Sequence, residues 1–226
     1  MRTLYHMPLD PFCRKIRLIL GEKSLKTTLV EERPWEQRAE FCALNPAVAV
    51  PVLVDEDPAG DEIALADSYA IAEYLEDVYG GGRVLPGASK ARAEARRIAQ
   101  WFDDKFEAEV NRFVLREKVD KRLKGLGSID LEAFRRGLDN LRYHLDYVNW
   151  LAERRSFLAG ERLTLADLAA AAHLSCTDYL DEIPWRDFPF AKDWYAKIKS
   201  RPSFRPLLAD HVQGFPPPRH YADLDF

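Results

Sequence analysis

The chain changes character once, at "YGGGRVLPGASK" (residues 79–90), and that change limits what it can fold into. Before it, short β-forming runs alternate with short helical stretches. After it, only long helical periodicities occur. A Gly- and Pro-rich segment between two such regimes marks a linker. In the first part, Arg2–Met7, Thr27–Glu32, Val50–Val54 and Ile63–Leu65 predict strands, and Cys13–Glu22 and Ser68–Val78 predict helices. The order βαβ then ββα is too short for a doubly wound sheet. It suits a four-stranded mixed sheet with few helices. "RPWEQRAEFCALNPAVA", broken by Pro34 and Pro46, predicts a loop with a short helix.

In the second part, Ala91–Lys124 carries Ile98, Trp101, Phe102, Phe106, Val110, Phe113 and Val114 at helical spacing. "GLGS" breaks it. Leu131, Phe134, Leu138, Leu141, Leu145 and Val148 then recur at steps of three and four, the stripe of a bundle helix. Thr164 answered by Asp167 resembles a capping box, with Asp in place of Glu. A last helix spans Phe190–Lys199. The three consecutive prolines of "GFPPPRHYADLDF" exclude regular helix there.

With 226 residues, the chain can form one large domain or two small ones with real cores. A net charge of −4 argues against a general nucleic-acid binder. No apolar run approaches the roughly 20 residues that span a bilayer, so no membrane insertion is expected. The N-terminus lacks a signal-peptide layout. Cys13, Cys42 and Cys176 are too few and too scattered for a disulfide framework or zinc site, so a cytosolic protein with reduced thiols is expected. The histidines show no metal-like pairing, and His173, among alanines, reads as a core or interface residue.

Four segments in this order resemble the cytosolic glutathione transferase family: "LYHMPLDPFCRKIRLIL", "LNPAVAVPVLV", "LADSYAIAEYL" and "FLAGERLTLADL". The resemblance reaches to about Leu208. It implies an α/β thioredoxin-like domain over residues 1–85, an all-helical domain over 87–208, and an extended tail over 209–226. It also implies a cis peptide at Pro51, with Val50 pairing the cysteinyl part of glutathione and Asp67 and Ser68 holding its charged ends. Each of these residues has a plainer reading. Pro51 joins a loop to a strand, and Asp67 or Ser68 caps a helix. Asp67 is one methylene shorter than the commoner Glu, and Val48-Ala49 stands where the family often has Gly and a polar residue.

The family also needs a group that stabilises the ligand thiolate, a Tyr, Ser or Cys at the first strand's end or the first helix's start. Here Asp10 takes that place. An ionised carboxylate repels a thiolate and already occupies the helix dipole. As a cap followed by Pro11 it makes good local sense. Tyr5 and Cys13 are the fallback candidates, although Cys13 on an apolar helix face also reads as packing. Glutathione is thus a cofactor only under the alternative reading, a glutathione-dependent transferase or thiol reductase.

Without that chemistry, the surface supplies the function. Trp35, Phe41 and Leu44 in the "RPWEQRAEFCAL" loop suit an interface, with a partner or within a dimer. Arg116, Glu117 and Lys118 lie in a charge-dense helix end that also reads as a solvated face. Tyr221, Asp223, Leu224, Asp225 and Phe226 form a tail that docks on its own body or on something else. These features resemble the bacterial cell-division members of the family. That resemblance implies a non-catalytic homodimer that binds FtsZ filaments at the division site and affects their curvature.

Overall fold

The computed structural model describes residues 2–224. Four strands, β1 (Thr3–His6), β2 (Thr28–Glu31), β3 (Val52–Glu56) and β4 (Glu62–Ala66), form one sheet in the order β2-β1-β3-β4. β1 and β2 run parallel, whereas β1–β3 and β3–β4 are antiparallel, so the sheet is mixed. β3 starts two residues later than Val50, just after a cis Val50–Pro51 bond. Three helices belong to this half: α1 (Pro11–Glu22), the short α2 (Ala39–Leu44) and α3 (Ser68–Val78).

α1 begins two residues before Cys13, with Asp10 as its cap and Pro11 at its first position. An amphipathic reading leaves Arg14, Lys15 and Arg17 on a wet face. All three are buried. Arg14 donates to Pro8 O (2.7 Å), Ser175 Oγ (2.8 Å) and Tyr221 Oη (2.9 Å). Lys15 pairs with Asp103 at 2.5 Å, and Arg17 grips both oxygens of Asp210 at 2.7 and 2.8 Å. Each charge is matched, which is the condition for burying it.

Five helices follow. α4 covers residues 89–124, α5 Leu131–Arg154, α6 Leu165–Tyr179, α7 Pro189–Lys199 and α8 Arg205–Leu208. α4 is not a uniform α-helix: Trp101–Asn111 and Arg116–Asp120 take i→i+5 turns. α6 runs through the middle, with every residue from Leu165 to Tyr179 buried. A helix buried on all sides needs apolar or fully bonded residues. Ala169, Ala170, Ala171 and Ala172 let α1 come close on one side. Its start is the Thr164–Asp167 capping box. Asp167 also accepts from Leu158 N (2.8 Å) and Trp194 Nε1 (3.0 Å), tying three elements to one carboxylate.

One hydrophobic core joins the two halves, from Leu4 and Leu53 on the sheet through Ile16 and Ile19 to Phe102, Leu145 and Leu168. The tail does not leave the body. Tyr221 is fully buried, edge-on to Tyr179 with ring centroids 5.1 Å apart.

Candidate functional site

Where the β1–α1 turn faces α4, the two halves leave a cleft of about 710 Å³. One wall is Met7–Asp10, the Val48–Val50 loop and the turn at Pro34 and Trp35. The other is a single stripe of α4: Glu107, Asn111, Leu115, Val119 and Leu123. These lie four residues apart. A regular α-helix has about 3.6 residues per turn, so such a row would wind away. The wider i→i+5 turns correct the drift and keep the row straight. The shape of α4 therefore makes the cleft wall.

At the mouth of α1, Asp10 Oδ1 accepts from Cys13 N at 2.8 Å. Burial pushes the Asp10 carboxyl up to about 6; the Cys13 N–H opposes this and the charge of Glu107 adds to it. Cys13 is fully buried, its Sγ accepting from Met7 N at 3.4 Å. Burial first, and Asp10 second, push its thiol well above the ordinary range. That is the reverse of an activated cysteine. Tyr5 is turned away from the cleft and packs on Phe41, with centroids 5.9 Å apart. Neither fallback group reaches the cleft lining.

Val50 lines the cleft, beside the cis bond to Pro51. Asp67 and Ser68 do not. Asp67 has φ of 76°, and its carboxylate caps α3 by accepting from Tyr69 N (2.8 Å) and Ala70 N (3.1 Å). Ser68 is buried at the first position of α3. Of the four candidate glutathione contacts, Val50 lines the cleft, and Pro51, Asp67 and Ser68 do not.

The surface candidates divide in the same way. Trp35 and Arg116 line the cleft. Lys124 Nζ lies 5.1 Å from the Trp35 ring centre, and no described residue pairs with the exposed Arg116. Leu44 is half-buried on α2, outside the lining. Phe41 is fully buried, a packing residue rather than a contact. Glu117 is buried, pairing with Lys121 at 2.5 Å and accepting from Asp130 N at 2.7 Å. Lys118 pairs with Glu182 and donates to Leu180 O at 2.9 Å. These two hold α4 to its neighbours. Tyr221 likewise serves the body of the protein, receiving Arg14. Asp223 and Leu224 are exposed, and Asp225 and Phe226 lie outside the described residues.

Sequence reasoning missed Glu107, Asn111, Leu115, Val119 and Leu123. A signal existed: Ile98, Phe102, Phe106, Val110 and Val114 are spaced by strict fours and are all buried. A four-residue period marks a helix wider than α, and it places the next row on the cleft.

Behind the cleft floor, His173 Nε2 lies 3.2 Å from Asp103 Oδ1, and Asn111 Nδ2 lies 2.9 Å from His173 Nδ1. Asp103 is buried, yet the His173 bond and the Lys15 charge hold its carboxyl below the usual range. Among the described residues, no group of three His, Cys, Asp or Glu side chains could hold a metal ion, and no helix is long and apolar enough to cross a membrane.

A thioredoxin-like mixed sheet joined to a helical bundle, with a cleft between them, defines the class. The family models for the glutathione S-transferase N-terminal and C-terminal domains match residues 4–83 and 138–202. The chain belongs to the glutathione S-transferase family. Within it, the chain is 50% identical over 225 residues to FtsZ-localized protein A of Caulobacter vibrioides, covering 100% of this chain and 98% of that one. The solved structure of FzlA from C. crescentus matches with a TM-score of 0.96 at 49% identity, over 100% of this chain and 99% of that one. A glutathione S-transferase structure from Rhodospirillum rubrum F11 matches equally, with a TM-score of 0.96 at 49% identity and 100% coverage of both chains.

Proposed function

We propose that this protein is a non-catalytic, homodimeric adaptor of bacterial cell division that binds FtsZ filaments and affects their curvature. Its likeness over the full chain to FtsZ-localized protein A supports the partner. The observation that carries the non-catalytic part is Asp10. The helix end that would lower a thiol's pKa is capped by a carboxylate, with Cys13 sealed behind it. Trp35 and Arg116 at the cleft mouth supply an aromatic and a free cation, the residue types that dominate protein interfaces. A two-fold dimer carries this patch twice and can bridge two points on a polymer.

The test is electron microscopy of FtsZ filaments polymerised with and without the protein. The adaptor reading expects filaments whose curvature changes with added protein. Filaments of unchanged curvature at saturating protein would overturn it. A second reading, a glutathione-dependent enzyme, draws on Val50 beside cis-Pro51 and on the likeness to the R. rubrum glutathione S-transferase. Glutathione conjugation above the uncatalysed rate, abolished by changing Tyr5 or Cys13, would establish that reading instead.

A further inference from the structure

Three acceptor groups, Asp10, Glu107 and Asn111, line the cleft together. His173 Nε2 lies 3.2 Å from Asp103 Oδ1, and on the other side of the ring His173 Nδ1 lies 2.9 Å from Asn111 Nδ2. The other N–H of that amide goes to Glu107 Oε2 at 3.1 Å. This fixes the Asn111 side chain, and its Oδ1 is left buried with no partner. Asn111 is only 1% exposed, and it lines the cleft. An orphaned buried acceptor is rare in a folded protein and calls for an explanation. Two carboxylates line the same floor. Asp10 spends one oxygen on Cys13 N, and Glu107 spends one on Asn111. The Cys13 thiol also bonds Asp10, and among the described residues none donates to the second oxygen of Glu107.

We propose that Asp10, Glu107 and Asn111 form a binding site for a guanidinium or ammonium group. These groups only donate, with five N–H bonds or three, and so match the two carboxylates and the unpaired amide oxygen. The site inverts the charge preference of a thiolate-binding cleft. Burial of the Asp10 carboxyl beside Glu107 leaves it short of compensating charge. The protein's own cations do not fill the place. Lys15 is taken by Asp103 at 2.5 Å. Arg112 and Arg116 are exposed on the rim, where solvent and salt screen them. Val50, Leu115 and Val119 offer apolar walls for the stem that carries the charge.

Such a group could belong to a small soluble cation or to an arginine or lysine of a protein partner. The first arm of the test separates the site from its source. n-Butylguanidinium and its neutral isostere n-butylurea are titrated calorimetrically into the full-length protein. The expected result is at least tenfold tighter binding of the cation. Asp10→Asn with Glu107→Gln should abolish the preference while leaving the fold intact, since Asn caps a helix as well as Asp and Gln keeps an acceptor for Asn111. Equal binding of the two probes, no binding at millimolar concentration, or a preference unchanged in the double variant would overturn the proposal. None of these results depends on FtsZ. In the second arm n-butylguanidinium is added to the protein bound to FtsZ polymer. Release assigns the site to a partner's basic side chain, and retention assigns it to a soluble cation.

Discussion

Asp10 does at the mouth of α1 what serine or asparagine would do as a cap, and adds a charge that neither would bring. Its carboxyl rises from 3.8 to about 6 on folding, through burial. Between those values the folded state binds more protons than the unfolded one, so stability falls as pH rises through this window. Asp10→Asn keeps the cap and removes that cost. At pH 7 it should raise the unfolding free energy by an amount on the order of 1 kcal/mol, discounted for partial exposure; urea titration measures this. His6 works in the opposite sense. Burial, with Arg17 next, lowers it from 6.5 to about 4. Here the unfolded state binds more protons, so His6 contributes stability above pH 6.5 that is lost as pH falls toward 4. Wild-type protein should show partial cancellation, and the Asp10→Asn variant a steeper loss on acidification from pH 6.5 to 4. An identical pH profile for the two would contradict this assignment. The thiols give a third check. Cys13 and Cys176 are buried and Cys42 is partly exposed. A thiol reagent should therefore modify one cysteine rapidly in the native protein and three after unfolding.

At the scale of elements, Asp10 as a cap and Thr164–Asp167 as a capping box were legible because both act within one turn of helix. The reach of Asp167 to Leu158 N and Trp194 Nε1 was not legible, because those partners arrive through tertiary packing. Asp167→Ala leaves several buried donors unpaired and should cost about 3 kcal/mol, read as a lower denaturation midpoint. The same boundary explains α1. Its alternation of apolar and basic residues is indistinguishable in sequence from a surface helix, and only α6 and the tail turn its polar face into an interior one. The helix over 89–124 was legible, but the width of its winding was not. Its buried residues recur every four positions, a period close enough to 3.6 to read as an ordinary α-helix over a few turns, and only the i→i+5 turns separate the two.

At the scale of the molecule, the sheet, the helical half and the linker between them were all visible in patterning. The closure of the tail was visible only as a tendency. Its anchor, Tyr221, meets Arg14 across 207 residues of sequence, and no local rule reports such a pairing. Asp210 locks the same junction through Arg14 at 3.3 Å and Arg17 at 2.7 Å. Removing one partner from a buried charge cluster strands the others. Asp210→Ala should lower stability by about 3 kcal/mol and speed proteolysis within residues 209–224. Unchanged stability and cleavage would show that the tail is held by packing alone.

In the proposed adaptor, the cleft presents Trp35 and Arg116 to a polymer in place of thiol chemistry. Co-sedimentation with FtsZ filaments tests this directly. Wild-type protein should pellet with polymer, and Trp35→Ala with Arg116→Glu should weaken pelleting at least tenfold at an unchanged melting temperature. Equal pelleting of wild type and variant, or no pelleting of wild type, would contradict it.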